Sequence, residues 1–289
     1  MRLMPDVSHT VVCYEKIENS MKKYVHGYSP EEAKRLNDQA NSVAEILHGD
    51  SVWQEDSLIL EAGCGIGAQT KTIAPQNRKS RFISIDISLE SVAQAKKLTD
   101  SLGIGNVEFR QANIFELPFE DEYFDHVFVC FVLEHLSNPS KALSELKRVL
   151  KPDGTIMLIE GDHGSTYFHP DSPTAKKAIQ CQVLLQQQNG GDANIGRKLY
   201  PILSDAGFKE IKVSPRQVYV DDSIPELVEG FTKNTFTAMI KGIAAEAISK
   251  RIISRDEMQK GISDLLKTAE GGGTFCYTFF KATATKSKN

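Results

Sequence analysis

Hydrophobic residues along this chain change their spacing several times, and each change predicts a different kind of element. Leu36, Ala40, Val43, Ala44 and Leu47 recur every three or four residues, which places them on one face of a helix. Ser29, Pro30 and Glu32 precede that face as a capping box with proline at the first helical position, and Gly49 and Asp50 end it. From residue 58 to about 160 the texture becomes short apolar runs, at 58–60, 82–85, 107–109, 124–132 and 155–159. Amphipathic stretches such as 89–102 and 140–150 separate them. Strands apolar at every position are buried on both faces, and their alternation with helices predicts an α/β fold with a doubly wound parallel sheet. Sheets of this kind bind nucleotide-like ligands at the carboxyl ends of their strands.

Beyond residue 160 the pattern predicts helices at 173–188 and 195–206, the second ending at Gly207, and a strand at 208–213. Residues 223–270 read as helices opened by two further capping boxes, Ser223 with Glu226 and Ser254 with Glu257. Leu227, Val228 and Phe231 mark one apolar face, and Met239, Ile240, Ile243, Ala247 and Ile248 another. Glycines 271–273 break the pattern before a last strand at 274–280.

Composition narrows the chemistry. The 289 residues are 40% hydrophobic and 25% charged, with a net charge of −4, and no long block of one sign occurs. That balance argues against nucleic acid as the main partner and favours a small-molecule substrate. The longest apolar run, 127–133, is far short of the roughly 20 residues needed to span a bilayer, so no membrane helix is expected. Residues 1–6 lack the basic start and apolar stretch of a secretion signal, which predicts a cytoplasmic protein. Cys13, Cys64, Cys130, Cys181 and Cys276 form no CxxC pair and are odd in number, which predicts reduced thiols.

The strongest motif is LILEAGCGIG at 58–67. Gly63, Gly65 and Gly67 let the backbone take positive φ and approach a ligand, and the helix expected from Ala68 offers free amides. Asp86 ends the next strand about 20 residues on, where an acid accepts hydrogen bonds from ribose hydroxyls. The same stretch satisfies GxGxxA through Ala68, so a nicotinamide or flavin cofactor stays open at this point, as does a plain glycine turn.

Four ordered stretches separate these readings: Glu61 before the glycines, QANIFELPF at 111–119, FDHVFVCFVLEHL at 124–136 and RVLKPDGTIMLIE at 148–160. Together they resemble the class I S-adenosylmethionine-dependent methyltransferases, and within them the small-molecule group that includes the quinone C-methyltransferases. The resemblance implies a Rossmann-like methyltransferase fold, with a mostly parallel seven-stranded sheet and helical cap insertions. It implies that Glu61 with Gly63, Cys64, Gly65 and Gly67 holds the methionine end of S-adenosyl-L-methionine. Asp86 would hold the ribose, Ile87 and Ile114 would sandwich the adenine, and Asn113 would face its amine. Cys130 and Phe131 would lie beside the sulfonium. Asn113 departs from the Asp common in the family, and Asp153 from the usual glycine.

Methyl transfer is an in-line displacement that needs a base only where the acceptor must lose a proton. His135, Glu160, Asp162 and His163 are the candidates, since all sit where strands end above the cofactor. His135 equally suits a structural bond across the cleft, and His126 a satisfied core position. A metal held by Asp162, His163 and His169 fits no ligand spacing. Cys64 suits packing in the loop. Tyr24 and Tyr28, with His26, are candidates for an N-terminal lid that binds substrate, and Tyr219 for a flank of the acceptor pocket. The implied division is an arm and capping helix at 1–57, a cofactor core at 58–215 and 274–283, and a helical insertion at 216–273. That insertion would cap the acceptor site or build a dimer interface. Two other readings remain open here: a nicotinamide-dependent oxidoreductase and a non-catalytic cofactor-binding regulator.

Overall fold

The computed structural model describes residues 30–288. Tyr24, His26, Tyr28 and Ser29, and with them the proposed lid and first capping box, lie outside the described residues. In chain order the elements are α1 (Pro30–His48), β1 (Leu58–Ala62), α2 (Thr70–Gln76), β2 (Arg81–Asp86), α3 (Leu89–Ser101), β3 (Val107–Gln111) and β4 (Phe124–Cys130). These are followed by α4 (Pro139–Val149), β5 (Leu150–His169), α5 (Pro173–Gln188), α6 (Leu199–Asp205) and β6 (Lys209–Val220). After a helical turn at Pro225–Leu227 come a π-helix (Val228–Thr237), α7 (Ala238–Ser249), α8 (Arg255–Lys267) and β7 (Thr274–Thr285).

The seven strands form one sheet in the order β3-β2-β1-β4-β5-β7-β6. β1 to β5 run parallel, and β7 pairs antiparallel with both β5 and β6. Because side chains alternate faces along a strand, adjacent residues feed different cores: Ile59 and Phe128 join one, Leu60 and Val129 the other. The second core is closed by α4 through Leu143 and Leu146 and by α6 through Leu199 and Leu203. The first is closed by α1, α5, the π-helix and α7, through Val43, Ile179, Phe231 and Ile243. β3 forms the edge and is the least buried strand of the parallel half.

Local signals explain most boundaries. Ser88 and Asn138 accept hydrogen bonds from Ser91 N (3.1 Å) and Lys141 N (3.0 Å) as N-caps of α3 and α4. Ser254 and Glu257 form the expected capping box at α8. Ser223 and Glu226 do not: Asp221 Oδ1 takes both the amide and the hydroxyl of Ser223, so the helix opens at Pro225 without a side-chain cap. The helix after the glycine loop starts at Thr70, two residues later than Ala68, because Gly67 N still closes a turn onto Cys64 O at 2.9 Å.

The helix α1 is a strut between the sheet and the helical stretch of 225–267. At its carboxyl end Lys281, buried on β7, donates to Leu47 O (3.0 Å), Asp50 Oδ1 (2.6 Å) and Ser51 Oγ (2.9 Å). His48 Nε2 lies 2.8 Å from Gln69 Oε1, just before α2. On the other side α1 meets the π-helix at Gly230, where a β-carbon would stand 2.2 Å from Ser42 Oγ. Among the described residues no helix is long and apolar enough to cross a membrane. Changing Lys281→Met leaves the Leu47 carbonyl buried without its donor. We expect a loss of about 1–3 kcal/mol, measured as a lower denaturant midpoint at unchanged slope.

Candidate active site

Two sites meet at the carboxyl ends of β1, β4 and β5. The first is the glycine loop. Gly63, Gly65 and Gly67 take φ of +84°, +51° and +81°, values that favour glycine. A β-carbon on Gly63 would stand 2.3 Å from Val132 Cγ2 and one on Gly67 3.1 Å from Ala95, so packing closes the loop on both sides. At Gly65 a β-carbon would meet nothing within 4 Å, so of the three glycines it is the one that faces open space.

Of the two carboxylates implied for the cofactor, Asp86 binds the loop at Gly65 and Glu61 lies buried on the strand that leads into it. Asp86 accepts from Gly65 N (Oδ2, 2.9 Å) and Ser88 N (Oδ1, 2.9 Å), and burial raises its pKa. Glu61, on β1, is 2% exposed and accepts from Thr70 Oγ1 (2.8 Å) and Ser84 Oγ (2.5 Å). Burial pushes its pKa up to about 7 against those two hydroxyls, with the Asp86 charge adding to the rise. Ile87 O accepts from Gln111 Nε2 (2.9 Å), fixing the ends of β2 and β3 together. The Asn113 oxygen accepts from Phe115 N (3.0 Å), and Ile114 packs against the second core. Cys64 and Cys130 are buried, and desolvation raises both thiols.

The second site is a cavity of about 60 Å³, partly open to solvent. Aromatic and aliphatic side chains dominate its lining: Phe131, Phe231, Phe236, Phe279 and Met239. Its polar groups are Arg35 and Gln39 of α1, Glu134 and His135 after β4, His163 of β5 and Tyr277 of β7. The two sites share one turn. Phe131 lines the cavity, while the next residue, Val132, presses on Gly63. Phe131 holds φ +58°, a left-handed conformation uncommon for a bulky residue.

The carboxylate of Glu160 holds that turn. It is fully buried and accepts from Val132 N (3.1 Å), Leu133 N (2.8 Å) and Glu134 N (3.4 Å). Burial and the Glu134 charge push its pKa well up, and the three amides pull it down. Asp162 is 1% exposed and bound at both oxygens by Arg197, at 2.7 Å each. Of the four residues singled out for catalysis, Glu160 and Asp162 are therefore occupied in building the site, while His135 and His163 face the cavity. His163 Nδ1 lies 2.9 Å from the Tyr277 hydroxyl and its Nε2 3.8 Å from Glu134 Oε2. His135 Nε2 lies 3.5 Å from Glu134 Oε1, and burial, then the Arg35 charge, lowers its pKa to about 4.

Tyr219 is half-exposed on the sheet face opposite Val218 and Val220, so the structure does not bring it to the cavity. Among the described residues no group of His, Cys, Asp and Glu is arranged to hold a metal. Sequence reasoning missed Glu134, Tyr277, Phe236 and Phe279 of the cavity wall. A signal was present: Phe275, Tyr277 and Phe279 alternate along β7, which puts three aromatic rings on one face.

Residues 60–158 match the family model described as a methyltransferase domain. An uncharacterised 37.1 kDa protein from a Streptomyces fradiae transposon is 34% identical over 74% of this chain and 61% of its own length. A ubiquinone/menaquinone biosynthesis C-methyltransferase of Vibrio cholerae is 38% identical over 35% of this chain and 40% of its own. The chain thus spans less than two thirds of these relatives. A phosphoethanolamine N-methyltransferase 2 from Haemonchus contortus, solved with phosphomonomethylethanolamine and S-adenosylhomocysteine, superposes with a TM-score of 0.52 at 18% identity. That superposition covers 98% of this chain and 59% of the other.

Because Glu160 satisfies three buried amides, Glu160→Ala should cost about 2–5 kcal/mol, the roughly 1–3 kcal/mol of each orphaned amide being offset in part by relief of the repulsion between the Glu160 and Glu134 carboxyls. Chemical denaturation gives that difference directly.

Proposed function

We propose that this chain, a class I methyltransferase by its domain and fold, transfers a methyl group from S-adenosylmethionine to a small organic acceptor held in the aromatic cavity. The observation that carries the reading is the shared turn: the open glycine loop with its two carboxylates and the cavity meet at Phe131 and Val132.

The residues at the glycine loop fit the cofactor. Gly65 leaves room for a ligand against the backbone, Asp86 offers a carboxylate to ribose hydroxyls and Glu61 a carboxylate to an ammonium group. Ile87, Ile114 and Asn113 would border the adenine, and Cys130 and Phe131 would lie beside the sulfur. When bound, S-adenosylmethionine supplies an electrophilic methyl group, and its bond to sulfur breaks as an electron pair of the acceptor takes the methyl in line. The protein's part is to hold that line and exclude water. Residues 216–273 serve as the acceptor cap, since Phe231, Phe236 and Met239 supply one wall of the cavity. Nicotinamide chemistry has no support from the domain match.

S-adenosylhomocysteine should raise the thermal midpoint while NADH leaves it unchanged, since only a ligand of the folded state stabilises it. Asp86→Ala should abolish the rise; an unchanged midpoint with S-adenosylhomocysteine would remove the cofactor assignment.

The affinity should also depend on pH. In the free protein Glu61 titrates near 7, and a bound ammonium favours its charged form, so binding expels a proton below that pH. Affinity therefore rises by up to about tenfold per pH unit towards 7 and levels above it. Calorimetry across this range should show the slope, and Glu61→Gln should flatten it.

A further inference from the structure

We infer that Tyr277, backed by His163 and Glu134, takes a proton from the methyl acceptor, so that the acceptor is a small, largely apolar acid methylated at or beside the atom it deprotonates. This rests on the cavity being the acceptor site.

The three side chains form one chain of contacts along the cavity wall. The Tyr277 hydroxyl meets His163 Nδ1 at 2.9 Å, His163 Nε2 faces Glu134 Oε2 at 3.8 Å, and Gln186 Nε2 donates to the same Glu134 oxygen at 3.2 Å. All three are nearly excluded from water, at 2%, 8% and 8% exposure. Position 161 makes room for them, since a β-carbon on Gly161 would stand 2.5 Å from the Tyr277 oxygen. Burying a phenol, an imidazole and a carboxyl among aromatic rings costs stability that an all-apolar wall would not. Tyr277 lines the cavity, and its hydroxyl is held by the Asp162 backbone amide as well as by His163.

The surrounding charges suit a neutral resting state. His163 is faced by Glu134 and His135 after β4 and by Arg35 of α1, and burial lowers its pKa. Tyr277 also feels Glu160 and Asp162 of β5, and burial raises its pKa well above the ordinary value. Asp192 faces Glu134, whose pKa burial raises and His163 lowers. Asp162 is matched by Arg197. With His163 neutral and its proton on Nε2, its Nδ1 accepts the Tyr277 proton.

The acceptor's proton passes to the Tyr277 oxygen as the Tyr277 proton passes to His163 Nδ1. The electron pair left behind forms the new bond to the methyl group. Charge balances, because the positive charge that sulfur loses appears on the His163 imidazolium, which Glu134 faces until the proton escapes to solvent. Tyr277 is the catalytic residue, and His163 and Glu134 act through it.

4-Nitrophenol, a weak acid whose ionised form absorbs visibly, tests the relay without turnover. It is added to the protein with saturating S-adenosylhomocysteine at mildly acidic pH, where the free probe is mostly protonated. Wild-type protein should bind it as the phenolate. Tyr277→Phe and His163→Gln should bind it with the phenolate fraction lowered by about tenfold or more, one pK unit. In the wild type, nitrogen NMR should show His163 becoming an imidazolium as the probe binds, a readout that needs no variant to fold. The proposal is overturned if the probe does not bind, if it binds protonated, if Tyr277→Phe keeps the phenolate band, or if His163 stays neutral. The S-adenosylhomocysteine thermal shift separates the outcomes: its absence in the wild type overturns the methyltransferase reading, and its presence with a failed probe experiment overturns the relay alone.

Discussion

The backbone amides of Val132, Leu133 and Glu134 converge on the single carboxyl group of Glu160. That convergence sets the direction in which the chain leaves β4, and much of the active end follows from it. With those amides fixed, Val132 closes on Gly63, Phe131 turns into the cavity through a left-handed backbone, and Glu134 and His135 come to face His163. In a low-dielectric interior such a hub is stable only while every donor is met, since each unmet group costs about as much as a typical mutation.

A second set of buried polar contacts places the other wall. Lys281 reaches through the sheet's face to the last turn of α1, where a cation satisfies carbonyls that the helix leaves open. Asp50 answers it and also pairs with Arg216 on β6. The helix α1 is thereby tied to β6 and β7 at one end and to the glycine loop through His48 and Gln69. Arg35 and Gln39 in the cavity wall thus sit on an element whose position the cofactor loop and the antiparallel half of the sheet both define.

The chemistry follows from where burial is tolerated. Glu134 keeps a titratable group on the cavity wall, at a position where a ligand's charge would complete what desolvation disfavours. Glu160 and Asp162 have their partners within the protein, three amides and Arg197, and so act as scaffold. The π-helix serves the same end, since its wide turns carry Phe231 and Phe236 into the cavity while Gly230 lets it lie against α1.

The sequence alone encodes the parallel sheet, the glycine loop and its acid. Those are encoded locally, by runs of apolar residues, by glycines that alone tolerate positive φ, and by an acid at a strand's end. It also determined α8, whose Ser254 and Glu257 lie within one turn of each other. It could not decide which of Glu160, Asp162 and His163 faces the cavity, because all three share one strand and their roles depend on partners far along the chain. Arg197 claims the Asp162 side chain, the turn after β4 claims Glu160, and the His163 ring meets the Tyr277 hydroxyl, 114 residues away. Tyr219 and Tyr277 are both aromatic residues in late strands. Pairing between β6 and β7 turned one to solvent and the other into the cavity, because register decides which face each alternate residue joins. Contacts of that range exist only once the sheet has closed, and they set the chemistry of the cavity.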